Sequence, residues 1–311
     1  IEMVIAVFVI LFAIFPLTDT DIWWHLACAR EWVTTWTPVR TPVVNVHEYF
    51  QLAVGLVYGL GGAPLLVAFK ANLWGVVFAL FLLPENPKCH CEVRRTAAIS
   101  SCMRQSLVAV VLLFVFRYHF EMRPVLFSLL FLGIYWNVLP RLFANSRLTP
   151  VNTLFAVLIL VIQWTWCKTQ GLYILGPLFA VLVLTAGIWN SRKSGDKFSR
   201  KAFALRGAFV VALFAMPFLH REGLALFLYP FGLLDRLLGL SPSAAIFASE
   251  IAENRSPFTL LMEGENTLEC VLMILLCLAG MGLAVWRLYT KRQTGVLNVS
   301  LLATAILVLI A

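Results

Sequence analysis

Apolar residues in this chain run in long continuous stretches, separated by shorter polar segments and showing little alternation. Membrane β-strands alternate in polarity over about ten residues, so the pattern predicts helices. Crossing the hydrocarbon core takes about 20 mostly apolar residues. Spans are therefore predicted near 1–17, 62–83, 105–118, 125–144, 151–166, 171–189, 206–219 and 268–286, and a ninth from about 296 to the end of the chain. The third, fifth and seventh are shorter than the rest. A signal peptide is the competing reading of 1–17, but a basic leading region and a small-residue cleavage site are both absent. The chain starts and stops inside apolar stretches, which reads as truncation at both ends. Residues 1–311 are thus expected to form one all-α transmembrane bundle.

Two longer connecting segments, near 18–61 and 220–267, carry further pattern. Within 20–36, Ile22, Leu26, Ala29 and Val33 recur at helical spacing, with Arg30 and Glu31 off that stripe. Such a helix would lie in the membrane plane, with Asp19 or Asp21 at its N-terminus. After Pro38 and Pro42, the run Val46-His47-Glu48-Tyr49-Phe50-Gln51 leads into a second interfacial helix ending at Gly61-Gly62. The later segment holds Tyr229-Pro230-Phe231-Gly232, then Leu233 to Leu240, then a polar stretch around Glu250, Glu253 and Asn254. No internal repeat is evident.

Composition agrees: 61% of residues are hydrophobic and 13% charged, against about 45–50% and 25% in soluble domains. The formal charge of +8 could signal nucleic-acid binding, but its distribution excludes that reading. Lys88, Arg94, Arg95 and Arg104 share one connection, Arg192, Lys193, Lys197, Arg200, Lys201 and Arg206 a second, and Arg287, Lys291 and Arg292 a third. With alternating spans all three fall on one side, joined by Arg141 and Arg147, and basic connections mark the cytoplasm. The long segments fall on the outer side with most of the acids, among them Asp19, Asp21, Glu31, Glu48, Glu222, Asp235, Glu263 and Glu265. Of the seven cysteines, Cys89 and Cys91 flank His90 at a spacing suited to a soft metal. Cys102 alone does not complete a four-ligand set.

Asp19-Thr20-Asp21-Ile22-Trp23-Trp24-His25-Leu26 is the densest chemistry in the chain. Ionisable groups at a membrane edge are costly and often functional, while tryptophan anchors at that depth. Capping of a helix is the alternative for the two acids, because Asp satisfies free N–H groups at a helix start. Glu48 has the alternative of pairing with a basic neighbour. Lys70, inside the second span, either snorkels to the interface or pairs with an acid or a lipid phosphate. Arg123, ahead of Pro124 at the end of a span, is well placed for a phosphate.

These residues resemble the D-x-D-x-W-W-H-L opening of bacterial polytopic proteins in the GT-C glycosyltransferase superfamily. His47 to Gly62 resembles the next segment of that family, H-E-W-L-x-Q followed by an apolar helix and Gly-Gly. Arg123-Pro124 before Leu126-Phe127-Ser128 fits its R-P-x-L-F-S. Trp164 to Gly171 and Tyr229 to Gly232 stand where it has W-x-N-x-H-G and N-P-Y-G. The resemblance implies a GT-C-like bundle, with outer-face interfacial helices over a lipid-facing cavity. It implies transfer of a sugar from a polyprenyl phosphate to an acceptor on the outer face of the bacterial cytoplasmic membrane. Asp19, Asp21 and Glu48 are then the catalytic candidates, since an acceptor hydroxyl needs a base. Arg123, Lys168, Arg117 and Arg221 are candidate cations for the departing phosphate, and His25 is a candidate substrate contact. A divalent cation held by carboxylates could share that task. Partners are membrane lipid, the lipid-linked sugar and other proteins of a membrane complex. The alternative is a catalytically silent subunit that scaffolds a complex or binds lipid. That reading draws on departures from the family: the Asn and His of W-x-N-x-H-G are absent, and Leu228 and Phe231 replace Asn and Tyr. A transporter would favour helices broken at the midplane, and the nearly uncharged spans argue against it.

Overall fold

The computed structural model describes residues 2–30, 44–82, 113, 120–144, 149–194, 200–242, 257–264 and 267–291. Every regular element among them is helical. In chain order these are α1 (Glu2–Phe12), α2 (Asp21–Arg30), α3 (Glu48–Leu82), α4 (Pro124–Ala144), α5 (Pro150–Cys167), α6 (Leu175–Ser194), α7 (Arg200–Ala215), α8 (Gly223–Leu238), α9 (Pro257–Glu263) and α10 (Thr267–Lys291). Short 3-10 turns at Gly171–Ile174 and Met216–Leu219 lead into α6 and follow α7. Five stretches are long and apolar enough to cross a membrane: Glu48–Phe81, Pro124–Phe143, Pro150–Cys167, Gly171–Ile188 and Arg200–Leu219. The chain therefore reads as a multi-pass membrane protein. These five coincide with the spans predicted from 62, 125, 151, 171 and 206.

The outward faces make the same point. On α5, Val151, Leu154, Phe155, Leu158 and Val161 are exposed while Gln163 is buried. That arrangement inverts a water-soluble helix, and it suits one whose solvent is hydrocarbon.

Two expectations are corrected. The predicted first span ends earlier than expected, α1 stopping at Phe12. Beyond it, residues 13–15 close turns, with the Ala13 N–H donating to the Val9 carbonyl, and Pro16 cannot continue a helical ladder. Tyr229 to Gly232, expected in a connection, lies inside α8. The predicted spans 105–118 and 296 to the end lie outside the described residues apart from Leu113. So do the Cys89-His90-Cys91 group, Cys102, Arg117 and the stretch around Glu250.

The chain divides into two compact units. The first comprises residues 1–138 and 161–173. Its core joins Val9 of α1, Ile22 and Leu26 of α2, Phe50, Val54, Leu66, Ala71, Trp74 and Val77 of α3, and Leu126 of α4. Gly75 lets α1 approach α3: a Cβ there would stand 2.8 Å from Ile10 Cδ1. Several polar groups pair inside the unit. The Tyr135 hydroxyl donates to Gln163 Oε1 at 2.7 Å, Gln163 Nε2 donates to the Tyr173 carbonyl at 3.1 Å, and Trp166 Nε1 donates to Ser128 Oγ at 2.8 Å. α3 breaks where the sequence predicts, at Gly61 and Gly62. Gly62 adopts φ 64, ψ −157, a conformation open almost only to glycine.

The second unit comprises residues 139–160 and 174–311. Gly239, at φ 61, ends α8 by donating its N–H to the Asp235 carbonyl, the left-handed stop that glycine allows. Phe218 stacks on Phe227 with ring centres 5.0 Å apart, closing the turn that precedes α8.

Gly62→Ala forces a side chain into the left-handed break, with an expected loss of about 1–3 kcal/mol. Gly59→Ala meets nothing within 4 Å and should gain about 0.5–1 kcal/mol from helix propensity. Thermal unfolding of both variants in one detergent checks the contrast.

Candidate functional site

Four helix ends meet in the first unit. At the start of α2, Asp19 Oδ1 accepts the Asp21 N–H at 3.0 Å, and the Trp23 N–H donates to the Thr20 carbonyl. Asp19 thus performs the turn-closing role that its position suggested. Its other oxygen, Oδ2, meets Arg123 Nε at 2.5 Å. The Asp19 side chain is 5% exposed and that of Arg123 33%. Arg123 stands immediately before α4, because Pro124 favours the first helical position and disfavours helical geometry in the residue before it.

The second junction joins the start of α3 to the turn after α5. Glu48 Oε2 accepts from Lys168 Nζ at 2.8 Å; the lysine side chain is 4% exposed and the glutamate 45%. The Tyr49 N–H donates to the Lys168 carbonyl at 2.8 Å, satisfying one of the donors that a helix start leaves free. His47 Nδ1 lies 3.3 Å from the Thr169 carbonyl. Asn45 accepts the His47 N–H at 3.1 Å and donates to Gln51 Oε1 at 2.8 Å.

His25 connects the two junctions. It is buried on α2 with Ile22, Leu26 and Cys28, whereas Trp23 and Trp24 are exposed. Its ring centre lies 5.4 Å from that of His47 and 4.8 Å from that of Phe50. Burial, then the neighbouring His47, pull the His25 pKa down to about 3, with Asp19 opposing. Burial also lowers His47, against the Thr169 carbonyl. Both imidazoles are neutral near pH 7. His25 Nδ1 and Gln51 Nε2 are buried without a hydrogen-bond partner.

Of the residues singled out in the sequence, Asp19, His25, Arg123, Glu48 and Lys168 gather here. Asp21 sits at the edge, with an exposed side chain on the first turn of α2. Arg221 belongs to the second unit, exposed in the turn before α8. Asn45, His47, Gln51 and Thr169 were not singled out as site residues. For two of them a signal existed, because His47 and Gln51 stand four residues apart and so share a helix face. Among the described residues no three His, Cys, Asp or Glu side chains form a group suited to a metal ion. Both oxygens of Asp19 are already engaged, so a divalent cation there would have to displace Arg123. Comparison with protein-family models, curated proteins and solved structures finds no match.

Two measurements test this geometry. The unfolded chain protonates its histidines near pH 6.5, while the folded chain resists protonation of His25 down to about 3. Stability is therefore full above pH 6.5 and falls below it by on the order of 1 kcal/mol per pH unit. His25→Gln should flatten the Tm–pH profile on the acid side. A double-mutant cycle with Asp19→Asn and Arg123→Gln should return a coupling of about 0.5–3 kcal/mol, toward the lower end because Arg123 is partly exposed.

Proposed function

We propose that this protein is a membrane glycosyltransferase of the GT-C kind, drawing a sugar from a polyprenyl phosphate and passing it to an acceptor hydroxyl. The observation that carries the reading is the contrast between two nearby carboxylates. Asp19 is buried, shared between the start of α2 and Arg123. Asp21 is exposed on the adjoining turn. In this reading Asp21 takes the acceptor proton, and Asp19 holds Arg123 in place. Arg123, whose side chain is one-third exposed, is the cation that would receive the departing lipid phosphate, where a fixed cation stabilises developing charge. Neutral His25 and His47 add hydrogen-bonding capacity without adding charge. Glu48 is tied to Lys168 and serves to hold that cation beside α3.

The same reading places the protein in a bacterial cytoplasmic membrane with its basic connections facing the cytoplasm. Arg123 before α4 and Arg141 in its last turn mark opposite ends of one 21-residue helix, which supports assigning the cluster and the basic connections to opposite sides. A second reading, a catalytically silent subunit, is favoured by one specific observation: both ion pairs of the cluster are closed within the protein.

Transfer from a radiolabelled polyprenyl-phosphate hexose, using protein reconstituted in liposomes, decides between them. Asp21→Asn is expected to lower the rate by about 10²–10⁴-fold, the usual worth of a positioned base, with an unchanged size-exclusion profile. Undiminished transfer in both Asp21→Asn and Asp19→Asn would sink the catalytic assignment. Absence of transfer by the wild type favours the silent subunit.

A further inference from the structure

Lys70 takes no part in the cluster, yet it is a charge buried within a membrane-spanning helix, with 0% exposure. An ammonium in such a place requires acceptors and counter-charge. Its Nζ donates to the Phe15 carbonyl at 3.1 Å and lies 3.4 Å from the centre of the Phe15 ring, a favourable seat for a cation on an aromatic face. Glu121 is the acid that acts on it through space, without a direct ion pair between the two. Glu121 Oε1 accepts from the Thr18 hydroxyl, while Oε2 is buried with no hydrogen-bond partner. Trp74, also on α3, donates its indole N–H to the Glu121 carbonyl at 3.4 Å.

The segment between α1 and α2 is thus gripped at three points. Lys70 holds the Phe15 carbonyl, Glu121 holds the Thr18 hydroxyl, and Arg123 holds the Asp19 carboxylate. Residues 16–19 have no regular secondary structure, and Pro16 has no N–H to offer, so their placement depends on side chains from elsewhere. An apolar residue at position 70 would pack in the same core without desolvation cost. It could neither hold the Phe15 carbonyl nor balance the Glu121 charge.

We propose that Lys70 is a positioning residue for the segment carrying Asp19 and Asp21: its ammonium fixes Phe15 through carbonyl and ring, within electrostatic reach of the Glu121 carboxylate that grips Thr18. The catalytic consequence rests on the reading of Asp21 as the working base; the positioning itself does not.

Hydrogen exchange by mass spectrometry on the full chain in detergent, read on peptides covering 15–22, tests the positioning. Lys70→Met, which keeps shape without a donor, should raise exchange there about tenfold or more, the scale of a lost charged hydrogen bond. Lys70→Gln, which keeps a donor, should raise it less, and peptides within α5 should be unchanged. Glu121→Gln, which can still accept from Thr18 but loses its charge, should loosen the same peptides and add little to Lys70→Met. Wild-type exchange at 15–22 in Lys70→Met overturns the proposal. If that variant does not fold, wild-type exchange in Glu121→Gln overturns it instead. In the transfer assay Lys70→Met should lower kcat at unchanged KM, with partial recovery in Lys70→Gln. Loosened exchange with undiminished transfer supports the positioning and overturns the catalytic reading of Asp21.

Discussion

Hydrocarbon offers the backbone no hydrogen-bonding partner, and a chain that enters it must satisfy every N–H and C=O internally. Helices do so along their length but not at their ends, where donors and acceptors run out of partners. In the first unit, polar side chains collect at those ends. Asp19 closes the turn into α2, Asn45 accepts the N–H just before α3, and the Lys168 carbonyl takes the Tyr49 N–H. The candidate site is therefore continuous with the solution to the backbone problem, and the same groups that end the helices supply its chemistry.

Charge in this unit is arranged so that buried groups face a compensating partner. Asp19 has Arg123, Lys168 has Glu48, and Lys70 has the Phe15 carbonyl and ring with Glu121 nearby. His25 and His47 are instead held neutral, burial being the leading cause at both. Asp21 differs in being exposed at the edge of this closed arrangement.

Much of the architecture was legible along the chain. Continuous apolar runs marked the five long spans, because lipid leaves helices as the economical solution for such stretches. Gly61-Gly62 marked the break in α3, because left-handed backbone there excludes a side chain. Ile22 and Leu26 marked the buried stripe of α2 together with its exposed tryptophans. Hydropathy does not register the turn that ends α1 ahead of Pro16. Tyr229 to Gly232 was read as a connection, although Pro230 is accommodated within α8. The contact between His47 and Thr169 spans 122 residues, beyond the reach of any local pattern.

By itself, the sequence determined that this chain is helical, apolar enough to cross a membrane and rich in chemistry around Asp19. Those properties are local: they depend on periodicity, propensity and the transfer of side chains out of water. Only the tertiary structure decided which acid meets which cation. Asp19 and Arg123 stand 104 residues apart along the chain, and Thr18 and Glu121 stand 103 apart. Pairings of that reach are set by how α2, α3 and α4 pack, and no local pattern encodes them. The division between a committed Asp19 and an open Asp21, two residues apart in nearly the same sequence context, is likewise a product of packing.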